Sequence, residues 1–115
     1  MLQLTQVRCI WQQAPHNAFT DLIDFNAALW CVFREGSAHV SDDGAFRILR
    51  STNAVNWHSV ALLQDSAADL RDAKLCQTPD GKLLLLGAGA LHDRSSASHQ
   101  SYLWQSADGI RWHRP

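Results

Sequence analysis

Ser106-Ala107-Asp108-Gly109-Ile110-Arg111-Trp112 is the stretch from which the architecture can be read. An Asp side chain accepts hydrogen bonds from backbone N–H groups two residues ahead, a following Gly tolerates positive φ, and a large aromatic at the exit packs back over a hairpin. The stretch therefore reads as a structural brace and carries nothing chemically reactive. Fifty-five positions earlier stands a second copy in the same frame, Ser51-Thr52-Asn53-Ala54-Val55-Asn56-Trp57. Ser51, Asn53 and Trp57 repeat Ser106, Asp108 and Trp112, while Ala54 replaces Gly109. An Ala held at positive φ costs on the order of 1 kcal/mol, so the first copy is the weaker one.

Each copy follows a run of strand-forming composition, Phe46–Arg50 and Ser101–Gln105, so the repeating unit is strand, turn, Trp. Upstream, Phe19-Thr20-Asp21-Leu22 matches Leu70-Arg71-Asp72-Ala73, which aligns Asp21 with Asp72. Two further strand segments follow in each unit: Leu22–Phe25 and Ala28–Phe33, then Ala73–Cys76 and Lys82–Leu86. Asn26-Ala27 and Thr78-Pro79-Asp80-Gly81 supply the intervening turns, and Asp42-Asp43-Gly44 opens the third strand. Four short antiparallel strands per period of about 50 residues predict an all-β chain of two four-stranded β-propeller blades. The blades span about 16–64 and about 69–115, with 1–13 outside them and Val7–Trp11 as a candidate closure strand. Ser66–Arg71 is the best helical stretch and is too short to stand alone, so it reads as a link between blades.

The Ser-x-Asp-Gly-x-x-Trp turn is similar to the Asp box of the sialidase (neuraminidase) superfamily. Phe33-Arg34-Glu35-Gly36, Arg71-Asp72-Ala73-Lys74-Leu75 and Thr78-Pro79-Asp80-Gly81-Lys82-Leu83 resemble segments of bacterial sialidase-like, BNR-repeat propellers. The likeness runs over roughly residues 14 to 113. It implies a six-bladed propeller of about three times this length. It also implies hydrolysis of terminal sialic acid, with arginines gripping the sugar carboxylate, a Tyr–Glu nucleophilic pair and an Asp acid/base.

On that resemblance the ligand-binding candidates are Arg34, His39, Arg71 and Lys74, and the catalytic candidates are Asp21, Glu35 and Asp72. Guanidinium groups suit a carboxylate because they bind it bidentately, and glycoside cleavage needs two groups flanking one bond. Against catalysis, Glu35 is the only Glu and Tyr102 the only Tyr, and they fall in different strands of different units. Strand alternation allows only one of Arg71 and Asp72 to face a pocket. A carboxylate repeated at Asp21 and Asp72 favours a structural role, since a catalytic acid needs no copy in every blade. Trp11, Trp30 and Trp104 are more at home in a core than stacked on a sugar ring.

A net charge of −1 with scattered basic residues excludes nucleic acid and anionic membrane as partners. No apolar run approaches the roughly 20 residues of a membrane span, and Met1–Gln6 lacks the pattern of a signal peptide, so the expected compartment is the cytoplasm. Cys9, Cys31 and Cys76 are expected as free thiols, and the six histidines show no zinc spacing, so neither metal nor cofactor is expected. Two blades leave apolar faces open, which implies self-association, as a trimer completing six blades or as a dimer, unless the chain is a piece of a longer one. The expected function is a self-assembling, glycan-binding propeller unit with little or no catalysis. The alternative is an exo-sialidase or a fragment of one.

Overall fold

In the computed structural model, which describes residues 1–115, the chain forms seven strands and no helix. They are β1 (His16–Phe25), β2 (Ala28–Gly36), β3 (Ala45–Ser51), β4 (His58–Leu63), β5 (Ala68–Gln77), β6 (Leu83–Leu91) and β7 (His99–Ser106). Two antiparallel sheets result, one in the order β1-β2-β3-β4 and one in the order β5-β6-β7. With no helix at all, none is long and apolar enough to cross a membrane.

Local chemistry sets the turns. Asn26 and Ala27 sit at φ 49° and 58°, the two positive values that a tight two-residue hairpin between right-twisted strands demands. At the matching place in the second sheet, the Gly81 N–H donates to the Thr78 carbonyl, and Gly81 takes φ 82°. Asp42-Asp43-Gly44 runs straight into β3; of the Ser66–Arg71 stretch read as a link, only Ser66–Ala67 is a turn, and Ala68–Arg71 already belong to β5.

The expected fourth strand of the second sheet is not formed. After the turn at 106–112 the chain makes a single bridge, Gln105 to His113, closed by backbone bonds of 2.8 and 3.0 Å. Arg114 turns its side chain back over Tyr102 and Trp104. The second sheet is therefore three-stranded.

The ladder also corrects the repeat alignment. Leu29 faces Ser51 and Leu83 faces Ser106, so β2 and β6 superpose from those points. Asp21 then faces Val32 while Lys74 faces Leu86, which makes Lys74 the counterpart of Asp21, and Phe19 the counterpart of Asp72. Phe19 and Asp72 are the bulged residues of β1 and β5, at φ 61° and 58°. Matching the two Asp residues by identity slips the frame by two, because pairing is set by hydrogen bonds and bulges and not by side-chain likeness.

The main core lies between the sheets. Phe25, Trp30, Val32, Phe46 and Ile48 of the first pack against Leu70, Leu75, Leu83, Leu85, Tyr102 and Trp104 of the second. Phe46 meets Trp104 edge-on at 5.9 Å, and the Trp30 indole N–H donates to the Phe25 carbonyl at 2.8 Å, which fixes the ring. Trp30 and Trp104 are thus core residues, as expected.

On the far side of the first sheet Cys31, Phe33 and Leu49 form a smaller cluster covered by Ile10, Trp11 and Trp57. Residues 1–13 form no strand in this chain. Instead the Trp11 indole N–H donates to Glu35 Oε2 at 3.1 Å, and the Arg47 guanidinium lies 5.3 Å from the Trp11 ring centroid. All three cysteines are free. Burial, with a smaller push from the Asp21 carboxylate, drives the Cys31 thiol up to about 11. A disulfide reagent at mildly alkaline pH should therefore consume the exposed Cys9 promptly and reach Cys31 only as the protein unfolds. Three equally prompt thiols would refute this packing.

Candidate functional site

Arg34 stands on β2 and is 1% exposed, a charge that needs full compensation at such burial. Its Nε and Nη2 donate to Asp69 Oδ1 at 3.2 and 2.9 Å, its Nη1 to the Ala38 carbonyl at 2.9 Å, and its Nη2 also to Ser41 Oγ at 2.9 Å. The other oxygen of Asp69 accepts from Arg71 Nε at 2.7 Å. One buried carboxylate is thus shared by two guanidinium groups. A Cβ on Gly44 would lie 1.9 Å from Asp69 Oδ1 and 2.8 Å from the Leu70 carbonyl oxygen, so only Gly permits this approach.

Arg34 is spent on structure, and Arg71 is not. The Arg71 side chain is 33% exposed, and only its Nε is engaged within the chain, so its terminal N–H groups are free to meet a ligand. They border a hollow of about 260 Å³ lined by Phe19, Arg34, His39, Val40, Arg71 and Asp72. Three of the four ligand-binding candidates converge here. Lys74 does not line it and stays exposed further along β5. Both Arg71 and Asp72 reach the hollow, against the expectation that only one would, because the bulge between Arg71 and Lys74 breaks strand alternation at Asp72. His39 joins from the loop after β2, with its ring 5.5 Å from Phe19 and 5.3 Å from His16.

The catalytic candidates do not gather. Glu35 is held by Arg47 Nε at 2.9 Å and by the Trp11 indole, away from Arg34 and among the residues beneath the N-terminal segment. Tyr102 belongs to β7, where its hydroxyl donates to Asp65 Oδ1 at 3.3 Å. Burial first, then the Asp65 carboxylate, pushes this phenol above its ordinary value, the reverse of what a nucleophile needs. Asp21 accepts from the Leu75 N–H at 2.8 Å and so ties β1 to β5. Its role is structural. Of the three, Asp72 alone faces the hollow.

A larger hollow of about 400 Å³ lies nearby, lined by Asp42, Asp43, Asp65 and Gln64 among others. Hydrogen bonds from Ser41, then the Ser37 backbone, hold the Asp43 carboxyl down to about 2. That hollow is anionic at neutral pH and repels the ligand an arginine attracts. Asp69 is the site residue that the sequence reading missed. Its signal was Asp69-Leu70-Arg71, since residues two apart on a strand share a face.

The Ser-Asx-Trp turns have the bracing geometry expected of them. Asp108 Oδ1 accepts from the Ile110 and Arg111 N–H groups at 2.8 and 2.9 Å, and Ser106 Oγ from the Gly109 N–H at 2.8 Å. Asn53 Oδ1 and Ser51 Oγ repeat this on Val55, Asn56 and Ala54 at 2.9, 2.8 and 2.9 Å. The copies differ at the exit: the Trp112 indole N–H donates to the Gly109 carbonyl at 2.8 Å, whereas the Trp57 indole N–H is buried without a partner. The Arg111 and Ile110 N–H groups hold the Asp108 carboxyl below its ordinary value. Its contribution to stability is therefore present above the ordinary carboxylate pKa and is lost as pH falls through the lower folded value. Asp108→Asn keeps the acceptor, as Asn53 does, and should flatten the acid limb of a melting-temperature profile. An unchanged limb would count against the assignment.

No protein family matches the sequence, and no curated protein matches it. The fold is similar to that of a protein of unknown function from Dyadobacter fermentans DSM 18053, known from a crystal structure. The TM-score is 0.71 at 20% sequence identity, over 87% of this chain and 35% of that one. The likeness is one of fold. This chain spans about a third of the length of that protein.

Proposed function

We propose that the chain is a two-blade unit of a sialidase-like β-propeller that has given up hydrolysis, self-assembles, and recognises a carboxylate-bearing sugar. The observation that carries this reading is the division of labour at the site. Arg71, His39 and Asp72 meet at one hollow, while Glu35 and Tyr102 are tied into separate structural contacts. A free guanidinium steadied by a buried Asp suits a sugar carboxylate, and the exposed Phe19 ring beside it offers an apolar platform for the sugar. The bracing geometry of the two turns and the face-to-face packing of successive sheets support the propeller reading.

The test is a thermal-unfolding titration with N-acetylneuraminic acid. The ligand is expected to raise the wild-type melting temperature, to lose that effect in Arg71→Ala, and to be accompanied by no turnover of a sialoside. Wild-type protein indifferent to a panel of acidic and neutral sugars would sink the proposal. Turnover that disappears in Glu35→Gln would replace it with hydrolysis.

A further inference from the structure

The two sheets present matching faces that can be compared through the ladder. Trp30, Val32 and Ile48 of the first sheet occupy the positions of Leu84, Leu86 and Leu103 in the second. The first three are buried against the second sheet. Their counterparts point the same way from the second sheet and have no cover: Leu86 is 46% exposed, with Leu84, Leu103 and Cys76 partly exposed around it. Conversely, Cys31, Phe33 and Leu49 occupy the positions of Leu85, Gly87 and Trp104, the face with which the second sheet receives the first. One interface of this kind is filled within the chain; of its two halves, the Leu84–Leu86–Leu103 face recurs open and the Cys31–Phe33–Leu49 face recurs covered only by short segments of the same chain.

The receiving half is masked rather than missing. Ile10 and Trp11 lie over Cys31, Phe33 and Leu49, held by the Trp11–Glu35 hydrogen bond and by Arg47 on the ring. Beside them on the same face Leu22, paired with Cys31 across the ladder, remains 58% exposed. A second copy satisfies both halves at once, since its open face repeats a packing that the sequence already encodes.

We propose that the Leu84–Leu86–Leu103 face of one copy docks on the Cys31–Phe33–Leu49 face of a second, and that the N-terminal segment is the cover that leaves when it does. This rests on the self-assembly reading above and names its surfaces and its gate. The contact is head-to-tail, so it propagates from copy to copy until a ring closes.

The test is solution mass against concentration for the full chain, Trp11→Ala, Leu86→Glu and the double variant. Removing the Trp11 anchor should let association begin at a concentration about tenfold lower, the effect of losing one charge-assisted hydrogen bond. Leu86→Glu, a change at an exposed position, should keep the fold by circular dichroism and abolish association in both backgrounds. A double variant that associates as readily as Trp11→Ala alone overturns the proposal, because such association is non-specific. Wild-type association unaffected by Leu86→Glu overturns this interface and leaves self-assembly standing. Wild type and Trp11→Ala both monomeric throughout overturn the two readings together and assign the open face to a partner other than this chain. Sugar binding at Arg71 is read separately and is untouched by any of these outcomes.

Discussion

Asp69→Ala is expected to destabilise the protein by about 3–5 kcal/mol, as removal of one member of a buried ion pair does. Arg34, 1% exposed, would keep its charge with no counter-ion, and Arg71 would lose its tether beside it. Urea unfolding followed by tryptophan fluorescence measures the loss, and a change below about 1 kcal/mol would mean the pair is replaced by solvent or by another group. Two companions make the result interpretable. Arg34→Met combined with Asp69→Leu removes both charges and should recover much of the loss, because an apolar pair of similar volume has no desolvation to offset. Gly44→Ala forces a Cβ to 1.9 Å from Asp69 Oδ1, so it strains the same pair; its clash with the Leu70 carbonyl at 2.8 Å survives in Asp69→Ala, so there it should still cost stability, but less than in wild type. The sugar titration on Asp69→Ala should also weaken, since Arg71 would no longer be held over the hollow.

Gly109→Ala is expected to cost about 2–4 kcal/mol, combining strain at positive φ with overpacking. Gly109 sits at φ 80°, and a Cβ there would come within 2.5 Å of the Trp30 ring. Trp30 has no room to give way, being 2% exposed and hydrogen-bonded to the Phe25 carbonyl. The reciprocal change in the first turn should go the other way. Ala54 is held at φ 61°, so Ala54→Gly should stabilise by about 1 kcal/mol. Both are read as shifts of the urea midpoint at constant slope. Equal and small effects at the two sites would contradict the difference between the turns.

Much of the fold was legible because it is written in local chemistry. Thr78–Gly81 and the two Ser-Asx-Trp turns were announced by side chains that bond their own backbone, Asn26-Ala27 by an Asn that tolerates positive φ, and the apolar runs between them became strands. The inner strands were harder. A bulge obeys no short sequence rule, so neither the left-handed Phe19 and Asp72 nor the equivalence of Asp21 with Lys74 in the two repeats was visible, and Asp21 was aligned with Asp72. The site was half legible for the same reason. Arg34, His39 and Arg71 could be singled out by type, but Asp69 acquires its meaning only when β5 is brought against the end of β2.

The sequence by itself determined the strands, their turns and their repetition, because each depends on residues within hydrogen-bonding reach along the chain. Only the tertiary structure decided that Arg34 is spent on Asp69 while Arg71 stays free, and that Ile10 and Trp11 lie over the far face of the first sheet. These depend on which distant groups desolvate one another, and burial of charge or apolar surface is a property of the packed whole, not of any local stretch.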